Sequence, residues 1–251
     1  MSDPGFDLSG RRAVVTGASG GIGAAIAARL AGAGATVVAV SRSGGVPPTD
    51  GTVIPLVADL ADPHQVDMVV DRAVAVLGGL DILVNNAGRG DYRPLADLDR
   101  DYFDGVVGLN LWAPLRLCQT AHAHLADTAA GVVVMVGSVD AVRPSAGAAV
   151  YGATKAGLGA ATVALAKEWM ADGIRVTQVD PGLVDTSMSE GGVRALEDSG
   201  AIVNIVGRAG ATEEIAGLVH YLVAPIGRFA TGVSYRVDGG ALALGPFDVA
   251  P

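Results

Sequence analysis

The stretch Thr16-Gly17-Ala18-Ser19-Gly20-Gly21-Ile22-Gly23 follows directly on the apolar run Arg12-Ala13-Val14-Val15 and leads into an alanine-rich segment over 24–32. A strand that turns on glycines into a helix is the setting in which backbone N–H groups gather around a phosphate. Gly17 allows the tight turn, Gly21 lets a pyrophosphate approach the backbone, and Gly23 lets the helix pack close to the strand. Ser19 and Ile22 complete the turn. The spacing is G-x-x-x-G-x-G, a variant of the G-x-G-x-x-G dinucleotide fingerprint. The strand before it and the helix after it supply the context that the motif requires.

Outward from this turn, short apolar runs alternate with longer helical patterns. Residues 12–16, 35–40, 53–57, 80–84, 131–136, 174–179 and 233–237 read as strands. Most are apolar throughout, as strands buried on both faces of a parallel sheet are. Helical segments fall near 21–32, 62–77, 95–125, 150–171 and 212–223. This alternation predicts right-handed β-α-β crossovers and an α/β, doubly wound Rossmann fold. The sheet is expected to be mostly parallel, with about seven strands. No long linker or change of composition interrupts the pattern, so a single domain over 1–251 is expected. Asp62 before Pro63, and Thr212 before Glu213 and Glu214, read as helix starts, with Thr212 as a capping hydroxyl. Gly78 and Gly79 stop the helix over 62–77.

Composition narrows the function. The 251 residues carry a net charge of −9 and one cysteine, Cys118. Such acidity disfavours nucleic acid and anionic membrane surfaces as partners. A lone cysteine rules out an intrachain disulfide, and His122 and His124 point to different faces of a helix, so no metal site is expected. The N-terminus carries acid and proline where a signal peptide needs an apolar run. The apolar stretches are broken before they reach membrane-spanning length. A cytoplasmic protein is the expectation.

The tip of the second strand reads Ala39-Val40-Ser41-Arg42-Ser43 and has no carboxylate. An acid there would accept from the ribose 2′-hydroxyl of NAD and repel the 2′-phosphate of NADP. Ser41 and Arg42 can instead donate to that phosphate. NADP(H) is favoured, and NAD(H) stays open.

Tyr151 and Lys155 are four residues apart and share one face of a helix. A free phenol has a pKa of about 10. A neighbouring ammonium stabilises the phenolate, which makes tyrosine a usable general acid or base. Ser138 follows the strand over 131–136, at the carboxyl edge where open α/β sheets bind ligands. Asn85 and Asn86 follow the strand over 80–84 at the same edge. Asn110 falls inside the helical segment 95–125, where a mediocre helix former suggests a polar task.

Assembled in this order, the chain resembles the short-chain dehydrogenase/reductase family from Arg12 to about Leu244. TGASGGIG at 16–23 is similar to the family's cofactor turn, and Asp59-Leu60 to its adenine contact. Asn86-Ala87-Gly88 is similar to its cofactor-lining segment. Pro181-Gly182, Val184 and Thr186 are similar to the stretch beside the nicotinamide. Asn110, Ser138, Tyr151 and Lys155 are similar to its catalytic tetrad. The resemblance implies hydride transfer between a nicotinamide dinucleotide and a carbonyl or alcohol carbon. Tyr151 would move the proton, Ser138 would hold the substrate oxygen, and Lys155 would lower the tyrosine's pKa and also bond the nicotinamide ribose. Asn110 would hold a water linked to Lys155. It also implies a homotetramer.

Two departures stand out. Gly20 sits where many NADP-dependent relatives carry a basic residue, and Asp180 brings an unusual carboxylate close to the nicotinamide. A small-molecule ketone or alcohol is the expected substrate. The alternatives are a 3-oxoacyl-[acyl-carrier-protein] reductase-like enzyme and a non-catalytic dinucleotide sensor. Residues 117–142 contain no Lys or Arg for docking an acidic carrier protein. Arg89 and Arg143 either pair with a substrate anion or are solvated loop arginines. Residues 187–210 read as a lid over the substrate.

Overall fold

In the computed structural model, residues 4–90, 92–199 and 204–244 are described. Seven strands form one sheet: β1 (Arg12–Thr16), β2 (Thr36–Ser41), β3 (Val53–Val57), β4 (Ile82–Asn85), β5 (Val132–Val136), β6 (Arg175–Pro181) and β7 (Ser234–Val237). Their order is β3-β2-β1-β4-β5-β6-β7, and every neighbouring pair runs parallel. The fold is the doubly wound α/β architecture expected from the alternation. Pro55 lies in β3, at the edge of the sheet, where a missing ladder donor is tolerated.

β1, β2, β4 and β5 are largely apolar because both of their faces are covered. Side chains alternate across the sheet. Ala13, Val15, Val37 and Ala39 join one core with Ile26 and Leu30 of α1 (Gly21–Gly32) and Val219 and Leu222 of α7 (Thr212–Val223). Val14, Val38 and Val40 face the other way. They pack with Val66 and Val70 of α2 (Pro63–Leu77), Leu117 and Leu125 of α4 (Ala113–Ala126), and Leu158 of α5 (Ala149–Glu168). The chain winds outward in both directions from β1 and β4. A crevice opens there at the carboxyl ends of the strands, where such sheets bind ligands.

The helix expected over 95–125 is broken. A 3₁₀ turn covers Leu95–Asp97, and α3 (Arg100–Val107) starts only after Asp99. The Asp99 carboxylate accepts from the Tyr102 N–H at 2.7 Å and caps that start. A π-helical turn, Gly108–Trp112, then joins α3 to α4. Pro114 explains the break. It has no N–H to offer the carbonyl of Asn110 four residues back, and its ring crowds that carbonyl. Asn110 therefore sits in a widened turn.

A second correction concerns α7. Thr212 is its first helical residue and does not cap it; Ala211 is the N-cap. The Glu214 carboxylate accepts from the Ala211 N–H at 2.7 Å, so the acid of the first turn does the capping. The segment 187–210 contains a further helix, α6 (Glu190–Ser199), and its ends meet where Val184 bridges Gly210. Residues 200–203 of the expected lid lie outside the described residues. Among the described residues, no helix is long and apolar enough to cross a membrane.

Candidate active site

The glycine turn is built by close approach. Gly17 has φ +66°, and a Cβ there would lie 2.9 Å from Asn86 Nδ2 and 3.0 Å from Ala87 Cα. A Cβ on Gly23 would lie 2.3 Å from the Gly17 carbonyl oxygen and 2.4 Å from Asn86 Nδ2. The start of α1 is thus pressed against both the turn and the NNAG segment. Thr16 ties the three together. Its hydroxyl accepts from the N–H groups of Asn86 (2.9 Å) and Ala87 (3.0 Å), and Asn86 Nδ2 donates to the Thr16 carbonyl at 2.9 Å. Gly21 faces Thr186, whose Cγ2 would be 3.3 Å from an added Cβ. Thr186 in turn bonds to Ser189, hydroxyl to hydroxyl, at 2.8 Å.

From this turn a cleft of about 400 Å³ runs to the tip of β2. Gly17, Ser19, Ser41, Arg42, Asp59, Leu60, Ala87 and Gly88 line it, all of them expected there from the sequence. Ser41 is buried and accepts from the Gly44 N–H at 3.1 Å, which turns the chain so that Arg42 follows at the rim. Asp59 accepts from the Ala61 N–H at 3.0 Å, and its own N–H donates to Gln65. Arg89, Gly105 and Leu109 also line the cleft and were not expected there. Only the fold shows this, because α3 and the π turn close the cleft's outer wall. Asn85, by contrast, is buried inside β4, where its Nδ2 lies 3.4 Å from both Cys118 Sγ and Met135 Sδ. It forms no part of the cleft.

Beyond Gly88, outside the lining of this cleft, stand Ser138, Tyr151 and Lys155. Ser138 begins the 3₁₀ turn after β5, where its hydroxyl accepts from the Asp140 N–H at 3.1 Å. The Ser138 hydroxyl favours the ionised form of the Tyr151 phenol. Lys155 is 4% exposed; its Nζ donates to the Val136 carbonyl at 2.8 Å and lies 5.7 Å from the centre of the Tyr151 ring. Burial lowers the lysine's pKa to about 8, against the opposing pull of Asp180. The phenol is raised above its ordinary value, where a lowered value was expected. Burial dominates, the Ser138 hydroxyl works against it, and the charges of Asp140 and Asp180 add to the rise.

Asn110 is fully buried. Its Oδ1 accepts from the Arg89 N–H, and its Nδ2 donates to the Arg89 carbonyl, each at 2.9 Å. It clamps the backbone just after NNAG, and the Cβ position of Gly88 lies 3.2 Å from its Oδ1 and 3.6 Å from Lys155 Nζ. Pro181 ends β6, and Gly182 passes so close to Asp238 that a Cβ would lie 2.8 Å from its Cα. Neither arginine expected near the substrate faces a free mouth. Arg143 donates to the Ala241 carbonyl at 2.7 Å, and Arg89 lies in the cleft with its guanidinium 5.7 Å from the Tyr102 ring.

Two further groups escaped the sequence reading. The Tyr92 ring lies 5.9 Å from that of Tyr151, and its hydroxyl donates to Asp140 Oδ2 at 2.5 Å. Asp140 also accepts from the Ser145 N–H at 2.9 Å. No local pattern marks Tyr92, since it reaches the site by crossing from the β4 loop to the turn after β5.

A parallel sheet with a glycine turn and a cleft at its switch point, and a phenol, hydroxyl and ammonium close to Gly88 of that cleft, defines a dinucleotide-binding oxidoreductase. Residues 11–197 match the family model for short chain dehydrogenase, and the chain belongs to that family. It is 35% identical over 244 residues to the 3-oxoacyl-[acyl-carrier-protein] reductase FabG of Salmonella typhimurium, covering 94% of this chain and 98% of the relative. It is 33% identical to 3beta-hydroxysteroid dehydrogenase 1 of Eggerthella lenta, covering 93% and 94%. A short chain dehydrogenase from Burkholderia cenocepacia, solved in complex with NADP, superposes with a TM-score of 0.85 at 38% identity, covering 94% and 99%. The protein is an oxidoreductase acting on alcohol and carbonyl groups with a nicotinamide dinucleotide.

Proposed function

We propose that the protein reduces a small, neutral ketone with NADPH, with Tyr151 as the proton donor. The carrying observation is the buried Lys155, whose Nζ lies 5.7 Å from the centre of the Tyr151 ring and 3.6 Å from the Cβ position of Gly88, itself a wall of the cleft that runs to Arg42. The residues present fit a dinucleotide. The backbone from Gly17 to Gly23 leaves no room for a Cβ at Gly23, and α1 offers its N-terminus to a pyrophosphate. Ser19, Asn86, Ala87 and Gly88 form one wall, Asp59 and Leu60 the adenine end, and Ser41 and Arg42 the ribose end. Ile22, Pro181, Gly182, Val184 and Thr186 close the nicotinamide side. When bound, the dinucleotide supplies the hydride.

The chain's own groups do the rest. Ser138 donates to the substrate oxygen and holds it against the Tyr151 hydroxyl. Tyr151 gives up its proton as negative charge develops on that oxygen. A phenol raised by burial stays protonated through neutrality, which suits an acid more than a base. Lys155 stands beside the ring as a cation and stabilises the phenolate as it forms. Asn110 holds the loop that positions Gly88 against Lys155, and its second role is to hold a water linked to that lysine. Residues 187–210 close over the substrate. Met188 already reaches this region, its Sδ lying 3.2 Å from the Cβ position of Gly90.

A neutral substrate follows from the engaged arginines: Arg143 is held by the Ala241 carbonyl, and Arg89 faces the cleft. The similarity to FabG favours a second reading, reduction of a 3-oxoacyl group on a carrier protein. The absence of Lys and Arg over 117–142 weighs against docking an acidic carrier. We place the protein in the cytoplasm as a homotetramer.

Fluorescence titration with NADPH and NADH, followed by a panel of neutral and acidic ketones and a 3-oxoacyl carrier protein, tests the reading. Tighter binding of NADPH and turnover of neutral ketones are expected. Turnover confined to the carrier-protein substrate would establish the second reading, and binding without any turnover would leave a sensor.

A further inference from the structure

Asp180 lies on β6 beside the candidate catalytic groups, yet none of the roles above uses it. It is 6% exposed. Its Oδ1 accepts from Gln178 Nε2 at 2.6 Å. Gln178 is itself held on its other side, its Oε1 lying 3.5 Å from the hydroxyl of the buried Thr162 on α5. The carboxylate occupies space that Gly137 leaves empty, since a Cβ at residue 137 would lie 1.9 Å from Oδ1. A glycine at 137 and an aspartate at 180 are thus one fitted pair, packed between Ser138 and Val136, whose carbonyl accepts from Lys155 Nζ. No carboxylate forms an ion pair with Lys155 among the described residues. The charge that acts on its ammonium is that of Asp180.

We propose that Asp180 is a positioning residue of the catalytic group, which fixes the backbone at Gly137, one residue before Ser138, and serves as the buried counter-charge of the Lys155 ammonium. The inference rests on the reading of Ser138, Tyr151 and Lys155 as the reacting apparatus. The Gln178 amide donor is matched to an anionic acceptor. Burial pushes the carboxyl upward, and the Gln178 amide, the Ser138 N–H and the lysine oppose that push. The ionisable groups around Lys155 are Tyr151 one turn back on α5, Asp180 on β6, and Asp140 with Tyr92 beyond the phenol. Removing the charge of Asp180 acts in one direction on both reacting groups. It weakens the hold on the lysine's proton, and it relieves the repulsion that keeps the phenol protonated. Each change brings deprotonation to lower pH.

The test compares Asp180→Asn and Asp180→Ala in steady-state reduction of a ketone that the native protein turns over, at saturating NADPH, across the alkaline limb. Asparagine retains an acceptor for the Gln178 amide and nearly the same volume against Gly137, and loses the charge. Its alkaline limb is expected to move down by about one pH unit, with the KM for ketone within about twofold of native. Alanine loses both, and is expected to show the same shift and a further drop of about tenfold in kcat. Should these variants not fold, Gly137→Ala displaces the carboxylate without removing it, and is expected to slow turnover and shift the limb in the same direction. A limb that stays in place in folded Asp180→Asn, or in Gly137→Ala, overturns the proposal. Tyr151→Phe is measured alongside. If it retains native turnover, the underlying reading has failed, whatever the Asp180 variants do.

Discussion

The glycine turn of the cleft and the neighbouring Tyr151 group, the two ends of the candidate site, are built on different principles. Around Gly17 and Gly23 the structure works by leaving side chains out, so that backbone meets backbone and Thr16 and Asn86 hold the turn with neutral hydrogen bonds. Around Tyr151 it works by burying charge, with Lys155, Asp140 and Asp180 all nearly enclosed within one small region. The first arrangement is steric and local in sequence, and it tolerates almost no added atom. The second is electrostatic and assembled from four separate segments, and it responds to every change in protonation. Substitutions at the two ends should therefore fail in different ways: affinity and stability at the glycine turn, rate and pH dependence at the phenol.

The largest effect is expected at the charged end. Tyr151→Phe removes the transferable proton and leaves the ring's packing. Turnover should fall by about 10²–10⁴, the usual worth of a positioned acid. NADPH binding by fluorescence should be retained, because the phenol's contribution lies in the reaction step. Native turnover in this variant would break the contrast at once.

The steric end is tested by Gly23→Ala. The new methyl has no space, being placed within 2.4 Å of both the Gly17 carbonyl oxygen and Asn86 Nδ2. Overpacking of this kind costs about 1–3 kcal/mol. It should appear as a lower melting temperature and weaker NADPH binding, with kcat at saturating cofactor close to native. A variant that loses kcat and keeps its affinity would show that the turn shapes the chemistry as well as the binding.

How much of this could be read beforehand follows the same division. The glycine turn is contiguous, so its spacing and flanking strand were visible in eight residues. The strands were legible because burial on both faces removes the alternation that would otherwise mislead. Tyr151 and Lys155 were legible because four residues make one helical turn. Asp180 was visible only as an oddity. The Gly137 it packs against lies 43 positions earlier, and parallel pairing of β5 with β6 brings the two together. Tyr92 had no signal at all. The break at 108–112 did have one, since Pro114 cannot serve the Asn110 carbonyl, and the apolar pattern of 95–125 masked it. For Arg89 the sequence left a substrate contact and a solvated loop both open, because a loop's position does not give the direction of a long side chain.

The buried lysine sharpens the comparison through pH. Its pKa is lowered to about 8 by burial, so its ammonium is present below that value and lost above it. Reduction at saturating NADPH should hold steady toward neutrality and then fall by up to about tenfold per unit once the lysine has titrated. NADPH binding measured over the same range should follow this fall only in the part that depends on the ammonium. The glycine turn over 16–23 carries no ionisable side chain. An affinity that collapses in parallel with kcat would mean that the ammonium governs binding as much as rate, and the two ends would no longer be separable.

The smallest effect is expected at Arg42, where the two principles meet: an exposed cation at the end of a cleft otherwise shaped by backbone. Its guanidinium would face a ribose 2′-phosphate at the rim, where water screens it and lowers the worth of a charged pair to about 1 kcal/mol. Arg42→Ala should therefore weaken NADPH by about fivefold. NADH, which lacks the phosphate, should bind as before. The neighbouring Ser41 hydroxyl already accepts from the Gly44 N–H and can still donate, so some preference for NADPH should remain. A loss equal for both cofactors would assign Arg42 to the shape of the rim instead. The absence of a carboxylate at the tip of β2 would then be the sole source of any discrimination.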